Sequence, residues 1–326
     1  MTETALVTGA TGFIGSALCR GLLDRGYRVR ALHRTSSSLV ALRGLSVERS
    51  IGDILDPDTL LPAMRGIDLV FHTAAQSAYV RHPELVLESA VDGTRNVLLA
   101  ALRAGVRRVV YTSSIAAMGA PSKGELLTEE HTFNLSPKRF LYGYAKRQAE
   151  IEVLKLATRG LNVVIVNPTV ALGPGDVNII SGLLVTEAAR GWGFFWLEGG
   201  FNIVHIDDVV VGHLAAADKG REGERYILGG ENLTVLEIFT VVNEVVGRRP
   251  PWLKIPSRLI DPLASAIDVL SPLMNLSINS AQLRLGHHGV YCDLSKSQRE
   301  LGLSDPKPYR QAAQEAYDWY REHGYL

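Results

Sequence analysis

The chain has 326 residues, 46% of them hydrophobic and 21% charged, enough for about two domains with real cores and unlike a disordered or fibrous protein. Lysine plus arginine and aspartate plus glutamate each total 34, so the formal net charge is zero and the basic footprint of a nucleic-acid binder is absent. Two cysteines, Cys19 and Cys292, make no disulfide framework, and Met1-Thr2-Glu3-Thr4 runs straight into an apolar strand, so a cytoplasmic protein without a targeting segment is expected.

That strand, Ala5-Leu6-Val7, feeds Thr8-Gly9-Ala10-Thr11-Gly12-Phe13-Ile14-Gly15, and apolar side chains then recur at helical spacing as far as Leu23. The glycines therefore sit in a strand-to-helix turn. Gly9 permits the sharp bend, Gly12 lets the backbone approach a ligand, and Gly15 lets helix and strand close together. The N–H groups around Thr11, Gly12, Phe13 and Ile14, at the positive end of the helix, suit a dinucleotide pyrophosphate. Cys19 reads as core packing.

A second strand, Arg28 to His33, ends in His33-Arg34-Thr35-Ser36. An acid there would hydrogen-bond the ribose of NAD, whereas Arg34 would pair with the extra phosphate of NADP. NADP is the expected cofactor, with NAD as the alternative. Val47 to Ile51 is a third strand, followed by Gly52-Asp53. Asp68 to Thr73 is a fourth, followed by Ala74-Ala75, small enough for a flat adenine or ribose to lie against the backbone. His72 reads as a satisfied strand-end histidine. One long helix is expected over Glu84 to Ala104, then a fifth strand from Arg108 to Thr112 that reaches Ser113-Ser114. A helix from Arg139 to Thr158 and a sixth strand from Asn162 to Asn167, closed by Pro168, complete an α/β alternation. Such alternation implies a Rossmann-type, doubly wound parallel sheet.

Beyond Pro168 the rhythm changes. Gly173-Pro174-Gly175-Asp176 reads as a loop, Val204-His205-Ile206-Asp207-Asp208 returns to strand and helix, and Arg225 to Leu228 is another strand. The expected division is a dinucleotide-binding domain, 1–168 plus about 202–230, and a smaller, discontinuous substrate domain, 169–201 and 231–326. Trp192, Phe194, Phe195 and Trp196 either line an apolar pocket or pack the two domains together. The apolar stretch Val269 to Leu283 is broken by Pro272 and is too short to span a bilayer.

Tyr142 and Lys146 are four apart at the start of a helical segment, which puts them on one face. A phenol titrates too high to exchange protons readily near neutral pH, and a neighbouring ammonium stabilises its phenolate. Ser114, at a strand end, would hold a substrate carbonyl or hydroxyl for the tyrosine. These groups suit proton transfer coupled to hydride transfer at a carbon bearing oxygen. No metal site is expected.

Thr8-Gly9-Ala10-Thr11-Gly12-Phe13-Ile14-Gly15, Tyr111-Thr112-Ser113-Ser114, Tyr142-Gly143-Tyr144-Ala145-Lys146 and Asn167-Pro168-Thr169 resemble the extended short-chain dehydrogenase/reductase family, also called the NAD-dependent epimerase/dehydratase family. The likeness is nearest to dihydroflavonol-4-reductase-like proteins and hopanoid-associated sugar epimerases, and covers about residues 4 to 250. It implies that Ser114, Tyr142 and Lys146 form the catalytic triad and that Lys146 also holds the nicotinamide ribose. It further implies that Asp53 and Ile54 contact adenine, that Ala74 lines the cofactor, and that Pro168 and Val170 touch the nicotinamide amide. A homodimer through two helices, about 84–104 and 139–158, is also implied.

Three departures bear on substrate. Many relatives have asparagine at the position of Ala90. Flavonoid reductases have one five residues after the catalytic serine, where Gly119 stands. Nucleotide-sugar enzymes place an arginine just before the Val-His-Val-Asp-Asp-like strand, where this chain has Gly200-Phe201-Asn202-Ile203, leaving Arg248, Arg249, Arg258 or Arg284 to compensate. The expected activity is reduction of a ketone, or oxidation of a secondary alcohol, on a small apolar substrate. Sugar or nucleotide-sugar epimerisation is the first alternative, and a non-catalytic NADP sensor the last.

Overall fold

The short apolar runs at 5–7, 69–71, 109–111 and 163–166 become strands whose two faces are both covered. The computed structural model describes residues 2–75, 83–270 and 280–326. β1 (Thr4–Thr8) leads through the glycine turn into α1 (Phe13–Asp24), followed by β2 (Arg28–His33), β3 (Glu48–Ile51), α2 (Pro57–Ala63) and β4 (Leu69–His72). Then come α3 (Pro83–Leu87), a π-helical turn (Glu88–Asp92), α4 (Gly93–Ala104), β5 (Arg108–Thr112), α5 (Leu141–Ala157) and β6 (Val163–Pro168). The chain next builds β7 (Val170–Leu172), α6 (Leu183–Ala189), β8 (Phe195–Trp196), β9 (Gly200–His205), α7 (Ile206–Lys219) and β10 (Arg225–Leu228). It finishes with β11 (Glu231–Thr234), α8 (Val235–Val245), β12 (Leu253–Lys254), α9 (Ile260–Leu270), α10 (Ser280–His288), α11 (Ser295–Leu301) and α12 (Tyr309–Glu322).

The large sheet is parallel throughout, in the order β3-β2-β1-β4-β5-β6-β10. Its order reverses between β1 and β4, and ligands of such sheets bind there, beyond the carboxyl ends of the strands. Successive strand residues face opposite ways. Ala5, Val7, Phe71, Val110, Val164 and Val166 accordingly join α1 and α7 in one core, while Leu6, Val70, Val109, Tyr111, Val163 and Ile165 join α4 and α5 in another. Cys19 packs in the first core as expected, and burial pushes its thiol up to about 12.

β7, β9 and β11 form a second, three-stranded sheet. Its core of Leu172, Ile203, Ile238, Tyr309 and Tyr320 is shared with α8 and α12. His205 ties the start of α7 to α12. Its Nδ1 accepts the Asp207 N–H at 3.0 Å, which leaves Nε2 to donate to Glu315 at 3.0 Å. Asp207 in turn pairs with Lys307 at 2.7 Å, so the polar atoms of this cluster already serve one another.

The helix expected over Glu84 to Ala104 is interrupted. The wide turn at Glu88–Asp92 takes up an extra residue before Gly93, whose backbone lies against Ile54. A Cβ at position 93 would stand 2.6 Å from the Ile54 Cδ1. Among the described residues no helix is long and apolar enough to cross a membrane, and part of the 269–283 stretch lies outside them.

Candidate active site

Gly9 has φ +69°, and its carbonyl accepts the Gly12 N–H at 2.9 Å, closing the turn after β1. A Cβ on Gly9 would lie 2.7 Å from the Ala74 nitrogen, and one on Gly15 only 2.2 Å from the Gly9 oxygen. Both are glycines of close packing. Gly12 differs, since a Cβ there would meet only the Gly9 oxygen, at 3.3 Å, and its outer side is open to a ligand. No side chain caps α1 and its first turn has no acid, so its free N–H groups and positive end fit a pyrophosphate. Gly15→Ala is expected to destabilise the fold by about 1–3 kcal/mol, as overpacking does, and to weaken binding of a dinucleotide. Chemical unfolding and a fluorescence titration measure both, and an unchanged Kd would separate this turn from the cofactor.

At the end of β5 the Ser113 N–H donates to the Val166 carbonyl at 2.8 Å. Half-buried Ser114 caps a single 3-10 turn, Ile115–Met118, its Oγ accepting the Ala116 N–H at 3.2 Å. That turn rests on the first turn of α5. A Cβ on Gly143 would stand 2.5 Å from the Ala116 oxygen, so only glycine allows the approach. Half-buried Tyr142 flanks this contact. Lys146, one helical turn on and 4% exposed, donates from Nζ to the Thr112 carbonyl at 2.8 Å. The three residues expected to act together thus converge on one corner of the sheet edge. Burial pushes the Lys146 ammonium down to about 8, and the charge of Glu150 opposes that fall.

Glu150 was not expected to matter, and it is the anchor of this corner. Fully buried, its carboxylate accepts from the Ser113 Oγ at 2.6 Å and from the Asn167 Nδ2 at 2.8 Å. The same Asn167 amide donates to the Ser114 carbonyl at 2.9 Å. Arg147 and Arg225 approach the other carboxylate oxygen at 3.3 and 3.4 Å. The only available sequence signal was an acid one turn beyond Lys146 on the same helix face. His72 is satisfied as expected, its Nδ1 lying 2.7 Å from the Thr8 Oγ1 and its Nε2 3.1 Å from the Thr94 Oγ1. Burial, helped by the Lys146 charge, holds it neutral with its pKa lowered to about 3.

The remaining expected residues also cluster at the carboxyl ends of the strands. Arg34 is exposed just after β2, in a turn where its N–H donates to the Ser37 Oγ at 3.2 Å. Asp53 follows β3 and accepts the Leu55 N–H at 3.0 Å, while the Ile54 carbonyl accepts from Asn96 at 3.0 Å. The Ala74 N–H donates to the Thr8 Oγ1 at 3.3 Å, beside the glycine turn, and Ala75 after it is exposed. Pro168 closes β6, and Val170 opens β7 in the second sheet.

A model of the NAD dependent epimerase/dehydratase family matches residues 5–229. The chain belongs to that family. Family members bind a nicotinamide cofactor, and its relatives are reductases, epimerases and dehydratases, so the protein is an NAD(P)-dependent enzyme. Sterol demethylase protein B of Methylococcus capsulatus is 39% identical over 331 residues, covering 99% of this chain and all of that one. A putative dihydroflavonol 4-reductase of Synechocystis is 36% identical over 336 residues, covering 100% and 97%. The crystal structure of gox2253 superposes with a TM-score of 0.88 at 38% identity, each chain fully covered.

Two of the departures from family pattern, at Gly119 and at Asn202, have structural reasons. Gly119 has φ +86°, and a Cβ there would lie 2.3 Å from the Asn134 Oδ1, which accepts the Ala120 N–H at 3.0 Å. The asparagine of flavonoid reductases has no room at this point. Asn202, near where nucleotide-sugar enzymes have arginine, is buried and bonded to Gly230 and Asn232, clipping β9 to β11. Of the four arginines left to compensate, Arg248, Arg249 and Arg258 are exposed, whereas Arg284 is nearly buried, 3.5 Å from Asp261. The four aromatics divide. Phe195 packs towards Phe239 of α8 and Trp196 joins a small core with Leu197, Val235 and Ile260, whereas Trp192 stays 58% exposed against Phe194.

Proposed function

We propose that the protein is an NADP-preferring oxidoreductase that reduces a ketone, or oxidises the corresponding secondary alcohol, on an apolar substrate. The observation behind this reading is the seating of the Ser114 turn on the first turn of α5, above buried Lys146. When bound, the nicotinamide supplies or accepts the hydride. Ser114 already accepts an N–H, so its own O–H is left to donate to the substrate oxygen. Tyr142 delivers the proton to that oxygen in reduction. Lys146 stabilises the phenolate left behind and holds the nicotinamide ribose. Asn202 supports an apolar substrate, because no guanidinium stands there to clamp a diphosphate. Two similar proteins named for a sterol demethylase and a dihydroflavonol reductase point the same way, and the room lost at Gly119 argues against a flavonoid.

The test is a titration of the purified protein with NADPH and NADH, on wild type and Arg34→Ala. NADPH is expected to bind at least about tenfold tighter, roughly 1.4 kcal/mol, and Arg34→Ala to erase the margin. A screen of apolar ketones with NADPH follows. NAD that copurifies and does not exchange would instead favour epimerisation.

A further inference from the structure

Far along the chain from the triad, two indoles stand in water. Trp252 is 72% exposed and Trp192 58%, and the Phe194 ring bridges them, with centroids 6.0 Å from Trp252 and 6.2 Å from Trp192. Leu253, 42% exposed, continues the patch. The fold presents these rings rather than leaving them loose. The Trp252 and Leu253 N–H groups donate to the Phe194 carbonyl at 3.0 and 3.1 Å, and β12 pairs with β8. Beneath them the buried Asn243 amide ties both segments together, donating to the Gly193 carbonyl at 2.6 Å and to that of Arg249 at 2.9 Å.

Around the rings the acids of the described residues are each held in an ion pair, and the charge left over is positive. Exposed Arg248 and Arg249 directly precede the Trp252 segment, and Arg248 donates to the Ala189 carbonyl rather than to an acid. The nearby acids Glu187, Glu198 and Glu244 are already paired with Arg190, Lys254 and Arg310. We propose that this face docks the enzyme on an anionic lipid bilayer, with Trp192 and Trp252 in the headgroup layer and Arg248 and Arg249 on the lipid charges. Tryptophan favours that layer because its ring is apolar and its N–H is not, and basic residues add attraction to acidic lipid. A second copy of the chain fits poorly, because a self-paired face would set arginine against arginine. The proposal does not depend on the redox reading.

Vesicles of phosphatidylcholine alone, and with one-third phosphatidylglycerol, provide the test by sedimentation and by indole fluorescence. The full chain is expected to bind the anionic vesicles, with a blue-shifted emission, and to leave them at high salt. Arg248→Ala with Arg249→Ala is expected to lower the partition coefficient about thirtyfold, and Trp192→Ala with Trp252→Ala to remove the shift. Arg249→Ala alone, at a residue with an exposed side chain, is expected to cost about fivefold and guards against a folding defect in the double variant. Equal binding to both vesicle types, no binding to either, or variants that bind like wild type would overturn the proposal. So would a blue shift that appears with protein concentration and no lipid, which would make the face a protein interface.

Discussion

Glu150→Ala is expected to cost about 3–5 kcal/mol of folding stability, the scale on which breaking a buried ion pair destabilises proteins. The substitution leaves the Ser113 hydroxyl and the Asn167 amide without their acceptor and the guanidinium groups of Arg147 and Arg225 without their counter-charge. Urea unfolding measures the loss. Because Asn167 also holds the Ser114 carbonyl, activity should fall further than the unfolded fraction explains. Glu150→Gln keeps one acceptor oxygen and should lie between the two proteins. A loss below about 1 kcal/mol for the alanine variant would show that water replaces the carboxylate.

Tyr142→Phe is expected to lower kcat by about 10²–10⁴-fold, the usual yield of a positioned general acid. KM should change little, since the ring that packs against the core beneath α5 remains. The same steady-state assay followed against pH examines Lys146. Its ammonium, lowered by burial to about 8, loses its proton as pH rises through that value, so turnover and cofactor affinity should decline there. The stability effect has the opposite sign. Between about 8 and the ordinary 10.5, the unfolded chain holds the Lys146 proton that the folded chain has released, so in that window stability rises with pH. Activity that climbs steadily past this range would remove Lys146 as the charged partner of Tyr142.

The parallel sheet was readable because its central strands are continuous apolar runs and its first turn is a glycine pattern with a specific physical purpose at each position. That Ser114 lies at a strand end and that Tyr142 and Lys146 share one helix face could be read from residue type and helical spacing. Gly143 could not, because what demands glycine is the Ala116 carbonyl, which is 27 residues earlier and meets the helix only in three dimensions. Glu150 was hidden for a similar reason. On a helix an acid reads as a solvated surface group, and nothing local shows that two strands close over it. The π turn before Gly93 also escaped, since its apolar spacing looks like that of an ordinary helix, and the contact of Gly93 with Ile54 is made only in three dimensions. The aromatic cluster divides at β8: Phe195 and Trp196, inside that strand, pack on the α8 side, while Trp192 and Phe194 precede it and stay with exposed Trp252.

Arg225 has a consequence for the order in which the protein is made. It lies on β10, at the far edge of the large sheet, yet it supplies one of the two guanidinium groups beside Glu150, 75 residues upstream. A chain still on the ribosome can complete β1 to β6 with only Arg147 beside that carboxylate. The corner holding Ser114 therefore reaches its final charge balance only after the second sheet has been started and the chain has crossed back to β10.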